Sequence, residues 1–508
     1  MLLRRRPVAA LAALALAAGA VAAAVPSSAG NGHGRGPKHR GQPEPSVVSP
    51  LSHSGRWLTD NQGRVVVLHG FNMVAKLPPY DVQQAGFGAD DAAFLQQHGF
   101  TTIRLGVIWK RLEPSPGIFD DGYLKSVAAT VATLADHGIY SLLDFHQDMW
   151  NEKFQGEGAP DWAVVDDGLP ADPPAGFPGN YFAMPALWRA FDHFWNNDAT
   201  KSGVRLQDAY AAAWRHVATY FRGDDAVLGY DLLNEPFPGS QWYSCLSPAG
   251  CPVFDKQYLA PFVTKMLKAV RSADREHLVF YEPQLSFDFS AGTSIGDPGD
   301  ALTGFAFHAY CAAAVGAPET PPTRAACDQV EDRTLSNADQ QSSTSGDALL
   351  LTEWGATDDP QELSSVAADA DRHMDSWQEW TYVGGDPSAA KPTEGIIRDL
   401  HKPPTGTNVK WDKLAILERP YPQVVAGTPT SWSFDTAART FSFSYSTHGV
   451  SGALRSSLTV VYIPTTGLLG HSYHVIVGGA HVVSAPGASR LVLRTLPGAS
   501  SVKVTVLP

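Results

Sequence analysis

The chain has 508 residues, 44% of them hydrophobic, and a formal net charge of −13 at pH 7. That length supports a sizeable core and more than one domain. No long basic run lies beyond the extreme N-terminus, which excludes a nucleic-acid partner, since that would need a concentrated positive surface.

Read from the start, Arg4, Arg5 and Arg6 precede an Ala-rich apolar run over 8–25, with small residues at 21–24 and 27–29. This pattern predicts a secretory signal peptide over 1–30 that is removed on export. The run is too Ala-heavy and weakly apolar to favour a retained membrane anchor. Residues 31–50, rich in Gly, Pro, Ser and His, predict a disordered linker. A catalytic domain is then expected over 51–427.

Eight short apolar runs follow, at 65–70 (VVVLHG), 101–109 (TTIRLGVIW), 140–147 (YSLLDFHQ), 227–236 (VLGYDLLNEP), 277–283 (HLVFYEP), 303–310 (TGFAFHAY), 348–355 (ALLLTEWG) and 376–382 (SWQEWTY). Helices are predicted over 89–98, 123–137, 206–221, 258–273 and 360–374. The first two end at Gly99 and Gly138, residues that accept the positive φ of a helix terminator. Strands apolar along their whole length, alternating with helices, indicate a parallel sheet covered on both faces. Eight such units predict an α/β fold, a closed (β/α)8 TIM barrel. An open dinucleotide-binding sheet would need a Gly-rich turn after its first strand, and His69-Gly70-Phe71-Asn72 lacks one. The long segments 149–180 and 310–347 read as loops over the barrel mouth. Over 428–508 the texture changes to short alternating stretches punctuated by Gly and Pro, predicting a small all-β sandwich.

The four cysteines, Cys245, Cys251, Cys311 and Cys327, allow three pairings. The local pairs Cys245–Cys251 and Cys311–Cys327 are the simplest. Their spacing matches no zinc pattern, so neither a metal nor another cofactor is expected.

Polar residues gather at the C-terminal ends of the apolar runs: Arg104, His146, Asn234, Glu235, His308, Tyr310, Glu353 and Trp380. In a barrel that end carries the chemistry. Two carboxyls facing each other there are what glycosidic cleavage requires, one to protonate the departing oxygen and one to attack the anomeric carbon. Glu353 is read as the nucleophile, because Tyr310 and Arg104 would favour its ionised form. Glu235, in a more apolar wall, is read as the acid/base. Asn234 is a candidate for the sugar 2-hydroxyl, and His146 and His308 for sugar hydroxyls or for placing the acid/base. Trp380 would offer a flat face beneath a sugar ring, and Asp144 would orient Arg104 or His146. His69, Lys76, Trp162 and Glu282 complete the substrate-binding candidates. Asp148, Glu152, Glu157 and Asp161 read as solvated loop carboxylates. Loop aromatics such as Trp150, Tyr181, Phe182, Trp188, Trp242 and Tyr243 are candidates for an apolar groove.

With Arg104, His146, His308, Tyr310 and Trp380 in strand order, Asn234-Glu235-Pro236 and Thr352-Glu353-Trp354-Gly355 resemble family 5 glycoside hydrolases of the large retaining barrel clan. Within that family, His69-Gly70-Phe71-Asn72-Met73, residues 144–148 (DFHQD), residues 154–158 (FQGEG), Asp161-Trp162-Ala163 and Gly179-Asn180-Tyr181 look like endoglycoceramidases. The resemblance implies Glu235 as acid/base, Glu353 as nucleophile and Lys76 against the glycan. It also implies an enzyme that frees an intact glycan and ceramide from glycosphingolipids; with the signal peptide, a secreted monomer in transient contact with a membrane or micelle is expected. The rival readings are an exo-acting β-glucosidase or glucosylceramidase-like enzyme, a galactose-preferring endoglycosylceramidase, and an endo-β-glucanase, all using the same catalytic pair.

Overall fold

The computed structural model describes residues 46–311, 321–385, 391–466, 469–470 and 472–508. The expected signal peptide and residues 31–45 of the expected linker lie outside the described residues.

Three short strands, β1 (Ser52–Ser54), β2 (Trp57–Thr59) and β3 (Val65–Val66), come first. Then follow β4 (His69–Met73), β5 (Thr102–Val107), β6 (Tyr140–Phe145), β7 (Val227–Asp231), β8 (Leu278–Tyr281), β9 (Thr303–Ala309), β10 (Ala348–Trp354) and β11 (Ser376–Glu379). These eight pair in parallel and close, with β11 returning to β4 through Trp377 opposite His69. Every residue of β5, β9 and β10 is buried, because the barrel interior covers one face of each strand and the outer helices cover the other. Gly70 is required by packing: a Cβ there would lie 1.7 Å from the carbonyl oxygen of Thr102 on β5.

The remaining strands are β12 (Tyr421–Val425), β13 (Thr428–Asp435), β14 (Thr440–Ser446), β15 (Leu458–Tyr462), β16 (His474–Gly478), β17 (Ala480–Val482), β18 (Arg490–Thr495) and β19 (Ser501–Leu507). They form two antiparallel sheets, in the orders β1-β2-β3-β12-β15-β18-β17 and β13-β14-β19-β16. Trp432, Phe441, Phe443 and Val504 from one sheet pack on Val461, Leu491 and Leu493 from the other. In β14 and β19 buried residues alternate with less buried ones, as in strands with a single covered face.

Three expectations need correction. The run 65–70 is not one strand. Val65 and Val66 pair with β12 in the sandwich, and the barrel strand begins only at His69. Consequently a boundary at 427/428 does not follow the sheets, since β1–β3 and β12 belong with β15 and β18. The segment 310–347 is not simply a loop, because a helix spans Pro321–Ser345. Its buried stripe, Cys327, Glu331, Thr334, Leu335, Ala338 and Ser342, has helical spacing but is half polar, which hides the period in the sequence. The bridges form as the local pairs Cys245–Cys251 and Cys311–Cys327. Among the described residues no helix is long and apolar enough to cross a membrane.

Candidate active site

Arg104 on β5 is fully buried beneath the barrel mouth. A buried guanidinium persists only with ionic partners and satisfied donors, and neighbouring strands provide them. Its Nε donates to Asp231 of β7 at 2.9 Å, and Nη1 to Glu353 of β10 at 2.6 Å. Nη2 donates to Asn234 at 3.0 Å and to Glu282 at 2.7 Å, and lies 3.1 Å from Asp144 of β6. Burial opposes the charge of Arg104, but the carboxylates of Asp144, Asp231, Glu282 and Glu353 outweigh it and hold the proton.

Glu353 is therefore fixed from below by Arg104, and Tyr310 donates to its other oxygen at 2.9 Å. Glu235 follows β7 at a backbone φ of +44°, a strained conformation for a side chain of this size, worth about 1–3 kcal/mol. Its N–H donates to Glu282 at 2.7 Å. The preceding Asn234 exchanges hydrogen bonds with Gln147: its Nδ2 donates to the Gln147 carbonyl at 3.0 Å, and Gln147 Nε2 donates to the Asn234 carbonyl at 2.9 Å. These ties hold the turn that carries Glu235 into the mouth.

One imidazole links the two glutamates. His308 Nδ1 lies 3.1 Å from Glu235 Oε1 and 3.7 Å from Glu353 Oε2. Those oxygens are thus no farther apart than the two lengths together, close enough for both glutamates to act on one glycosidic bond. Burial raises the Glu235 pKa above the ordinary carboxyl range and the charge of Glu353 adds to it, against the lowering contact with His308. Burial works against charge on His308, but Glu353, Glu282 and Glu235 together raise its pKa well above the usual imidazole value.

On another wall, His146 Nδ1 meets Asp144 at 2.7 Å. Lys76 pairs with Asp148, lies 3.8 Å from Glu157 and sits 4.3 Å from the centre of the Trp380 ring. Burial drives the Glu157 pKa up to about 8, with the charge of Asp148 adding and that of Lys76 opposing. Asp148 and Glu157 are buried and line the catalytic pocket, contrary to their reading as solvated loop carboxylates. The Asp-Phe-His-Gln-Asp run was the available signal for Asp148, since a carboxylate two residues past His146 stays at the same mouth.

The pocket, about 280 Å³, is lined by Glu235, Glu353, Asn234, His146, Tyr310, Lys76 and Trp380 among others. Arg104, Asp144, Glu282 and His308 lie beneath or behind its lining and hold the residues that form it. Three of the thirteen candidates need correction. His69 starts β4 at the opposite end of the barrel, stacked between Trp377 and Tyr421 with ring centres 4.2 and 3.7 Å away, because the barrel strand begins later than the apolar run suggested. Trp162 packs edge-on against Trp109 and donates to the Glu113 carbonyl at 3.0 Å, so it holds the loop. Glu282 serves Arg104 and the Glu235 backbone rather than a ligand. Sequence reasoning missed Asp231 and Asp288, which carry no motif of their own, and gave no role to Asn72 of the run 69–73, whose Oδ1 accepts from Arg104 Nη1 at 3.2 Å. Of the groove aromatics, Tyr181 and Phe182 line the pocket, whereas Trp150 is core, packed on Phe191 and Phe194.

A second cavity of about 290 Å³ adjoins the first and shares Phe182, Leu285 and Phe289 with it. Its other walls include Phe237, Pro238, Trp242, Leu246 and Pro248. The first pocket thus holds two facing glutamates with Lys76, His146 and Asp148 among apolar residues such as Phe177, Phe182, Leu285 and Phe289, and it continues into a second cavity that is also mainly apolar.

Residues 59–385 match the family model described as cellulase (glycosyl hydrolase family 5), and residues 419–506 match the glycoside hydrolase family 5 C-terminal domain. The chain belongs to glycoside hydrolase family 5. It is a retaining glycoside hydrolase of that family. Similar curated relatives include endoglycoceramidase I of Rhodococcus hoagii (strain 103S), 32% identical over 470 residues, 90% of this chain and 88% of the relative. The endoglycoceramidase of Cyanea nozakii is 31% identical over 450 residues, 82% of this chain and 84% of its own length. Among solved structures, endo-glycoceramidase II from Rhodococcus sp., in a form described as its lactosyl-enzyme intermediate, superposes with a TM-score of 0.71 at 28% identity, covering 89% of this chain and 99% of that one.

Proposed function

We propose that this family 5 enzyme is an endo-acting glycosidase that cleaves the β-linkage between oligosaccharide and ceramide in glycosphingolipids, releasing both intact. The observation that carries the reading is the pair of adjoining cavities. Glycan fits the group of Lys76, His146, Asp148 and Trp380 beside the two glutamates, and lipid fits the apolar residues Phe182, Leu285 and Phe289 that join the two cavities and the second cavity beyond them. Burying acyl chain there is favourable by about 0.8 kcal/mol per CH2. Relatives named endoglycoceramidase match over most of this chain, whereas a glucosylceramidase relative covers 37% of it, which favours endo over exo action.

In this reading Glu353, held by Arg104 and Tyr310, attacks the anomeric carbon. The glycosidic C–O bond breaks, and Glu235 gives its proton to the departing ceramide oxygen. Water then attacks the glycosyl-enzyme, Glu235 takes its proton, and Glu353 is freed. Asn234 serves the sugar 2-hydroxyl, and His308 and His146 hold the charged frame.

Exposed Leu77, Phe177 and Phe182 at the catalytic pocket and Leu246 at the apolar one support transient contact with a membrane or micelle. Two disulfides support export of the protein, which we take to act as a monomer. The test is digestion of mixed glycosphingolipids with mass spectrometry of both products. Intact glycan with ceramide is expected. Single sugars, or cleavage of soluble β-glucan alone, would overturn the reading.

A further inference from the structure

Asp288 is a buried acid without an evident task. It lies on the short helical turn Leu285–Phe289, whose first and last residues line both cavities. Its carbonyl accepts from the Tyr310 N–H at 2.9 Å, so the turn is tied to β9 beside the site. The side chain is 3% exposed, and among the described residues its Oδ2 has no hydrogen-bond partner; neither has His308 Nε2. An oxygen of Asp288, an oxygen of Glu235 and a ring nitrogen of His308 lie within 4.8 Å of one another.

We propose that Asp288 is a positioning residue for the acid/base: it forms with Glu235 a carboxyl pair, beside His308, that shares protons and keeps one on Glu235 at higher pH than Glu235 alone would. Two carboxyls this close in a buried site do not ionise independently; they lose protons in two steps that belong to the pair, and the upper step lies above the value of either acid alone. The surrounding charges fit. Glu282 after β8 and Glu353 on β10 face the same imidazole at 3.5 and 3.7 Å, Arg104 binds both of them from β5, and Asp148 on the loop after β6 adds to the field at Glu235. Negative charge therefore surrounds the pair, relieved at close range by His308. Burial raises the pKa of Asp288 well above the ordinary carboxyl value, with Glu235, Glu282 and Glu353 adding and His308 opposing.

The inference rests on Glu235 as the acid, and the test separates the two. The pH dependence of kcat/KM is measured for wild type, D288N and E235A, on a glycosphingolipid and on an activated aryl glycoside whose leaving group needs no proton. D288N is expected to move the basic limb acidward by about one unit on the lipid substrate. At mildly alkaline pH it should lose about tenfold there, with little loss on the aryl glycoside. An unmoved limb, or a uniform loss on both substrates at every pH, would leave Asp288 as mere packing. If E235A retained the wild-type basic limb, the assignment of Glu235 would fall instead. Should D288N not fold, D288S is read in the same way, its smaller side chain admitting water without charge.

Discussion

The two ends of the barrel handle buried charge differently. At the end facing the sandwich, the buried acids Asp60 and Asp371 each have an arginine of their own. Arg64 takes Asp60 through Nε at 2.9 Å and Nη2 at 2.6 Å. Arg419 takes Asp371 at 2.5 Å, and Trp432 of β13 satisfies the other oxygen of Asp371 at 2.9 Å. At the mouth, Asp144, Asp231, Glu282 and Glu353 crowd round Arg104, with His146 beside Asp144 and His308 beside Glu282 and Glu353, and Glu235 and Asp288 both lie near His308. Satisfied pairs fix two layers together. A surplus of carboxyls retains protons in a buried place, which is what an acid catalyst needs and what a purely structural site avoids.

The contrast is most sharply tested by E353Q, which leaves the shape and removes the attacking charge. Turnover should fall by at least about 10⁴-fold, read with both substrate types, while thermal stability holds. Next, R104M should strand four acids around an apolar side chain and lower unfolding free energy by about 3–5 kcal/mol in denaturant titration, taking kcat down with it. R419M should cost a similar 3–5 kcal/mol, roughly, yet leave kcat/KM within about twofold. Equal loss of activity in both arginine variants would erase the distinction between the two ends.

The pH profile sharpens it further. Because the Glu235 pKa is raised, its acid form persists where an ordinary carboxyl is already ionised. On substrates with poor leaving groups, kcat/KM should hold through mildly acidic pH and fall about tenfold per unit once pH passes that raised value; E235Q should show no such limb. The smallest effect is expected from C245S/C251S, which opens a short loop beside the apolar cavity. Stability should drop by about 2 kcal/mol, and KM should rise for the lipid substrate more than for the soluble aryl glycoside.

Much of this was legible in the chain. Seven of the eight barrel strands lie within the apolar runs that announced them, since burial on both faces leaves a continuous apolar stretch. The catalytic glutamates stood out because they interrupt such stretches at the same end. The misread pieces share a cause. The run 65–70 divides between two sheets, and a Val-rich stretch says that a strand forms without saying which partner it takes. The helix Pro321–Ser345 buries Glu331, Thr334 and Ser342; Arg324 pairs with that glutamate at 2.6 Å, a contact that pattern alone does not reveal.

By itself the sequence determined the parallel barrel, the all-β tail and the carboxyl pair, because each is written in periodicity or in residue type at a strand end. Only the tertiary structure decided that the N-terminal strands complete the sandwich, that His69 lies at the far end, that Asp148 and Glu157 are buried at the mouth, and that Asp288 stands beside His308. Those outcomes depend on which distant segments meet, and a proton's preference for one acid over another is set by the charges gathered around it in space.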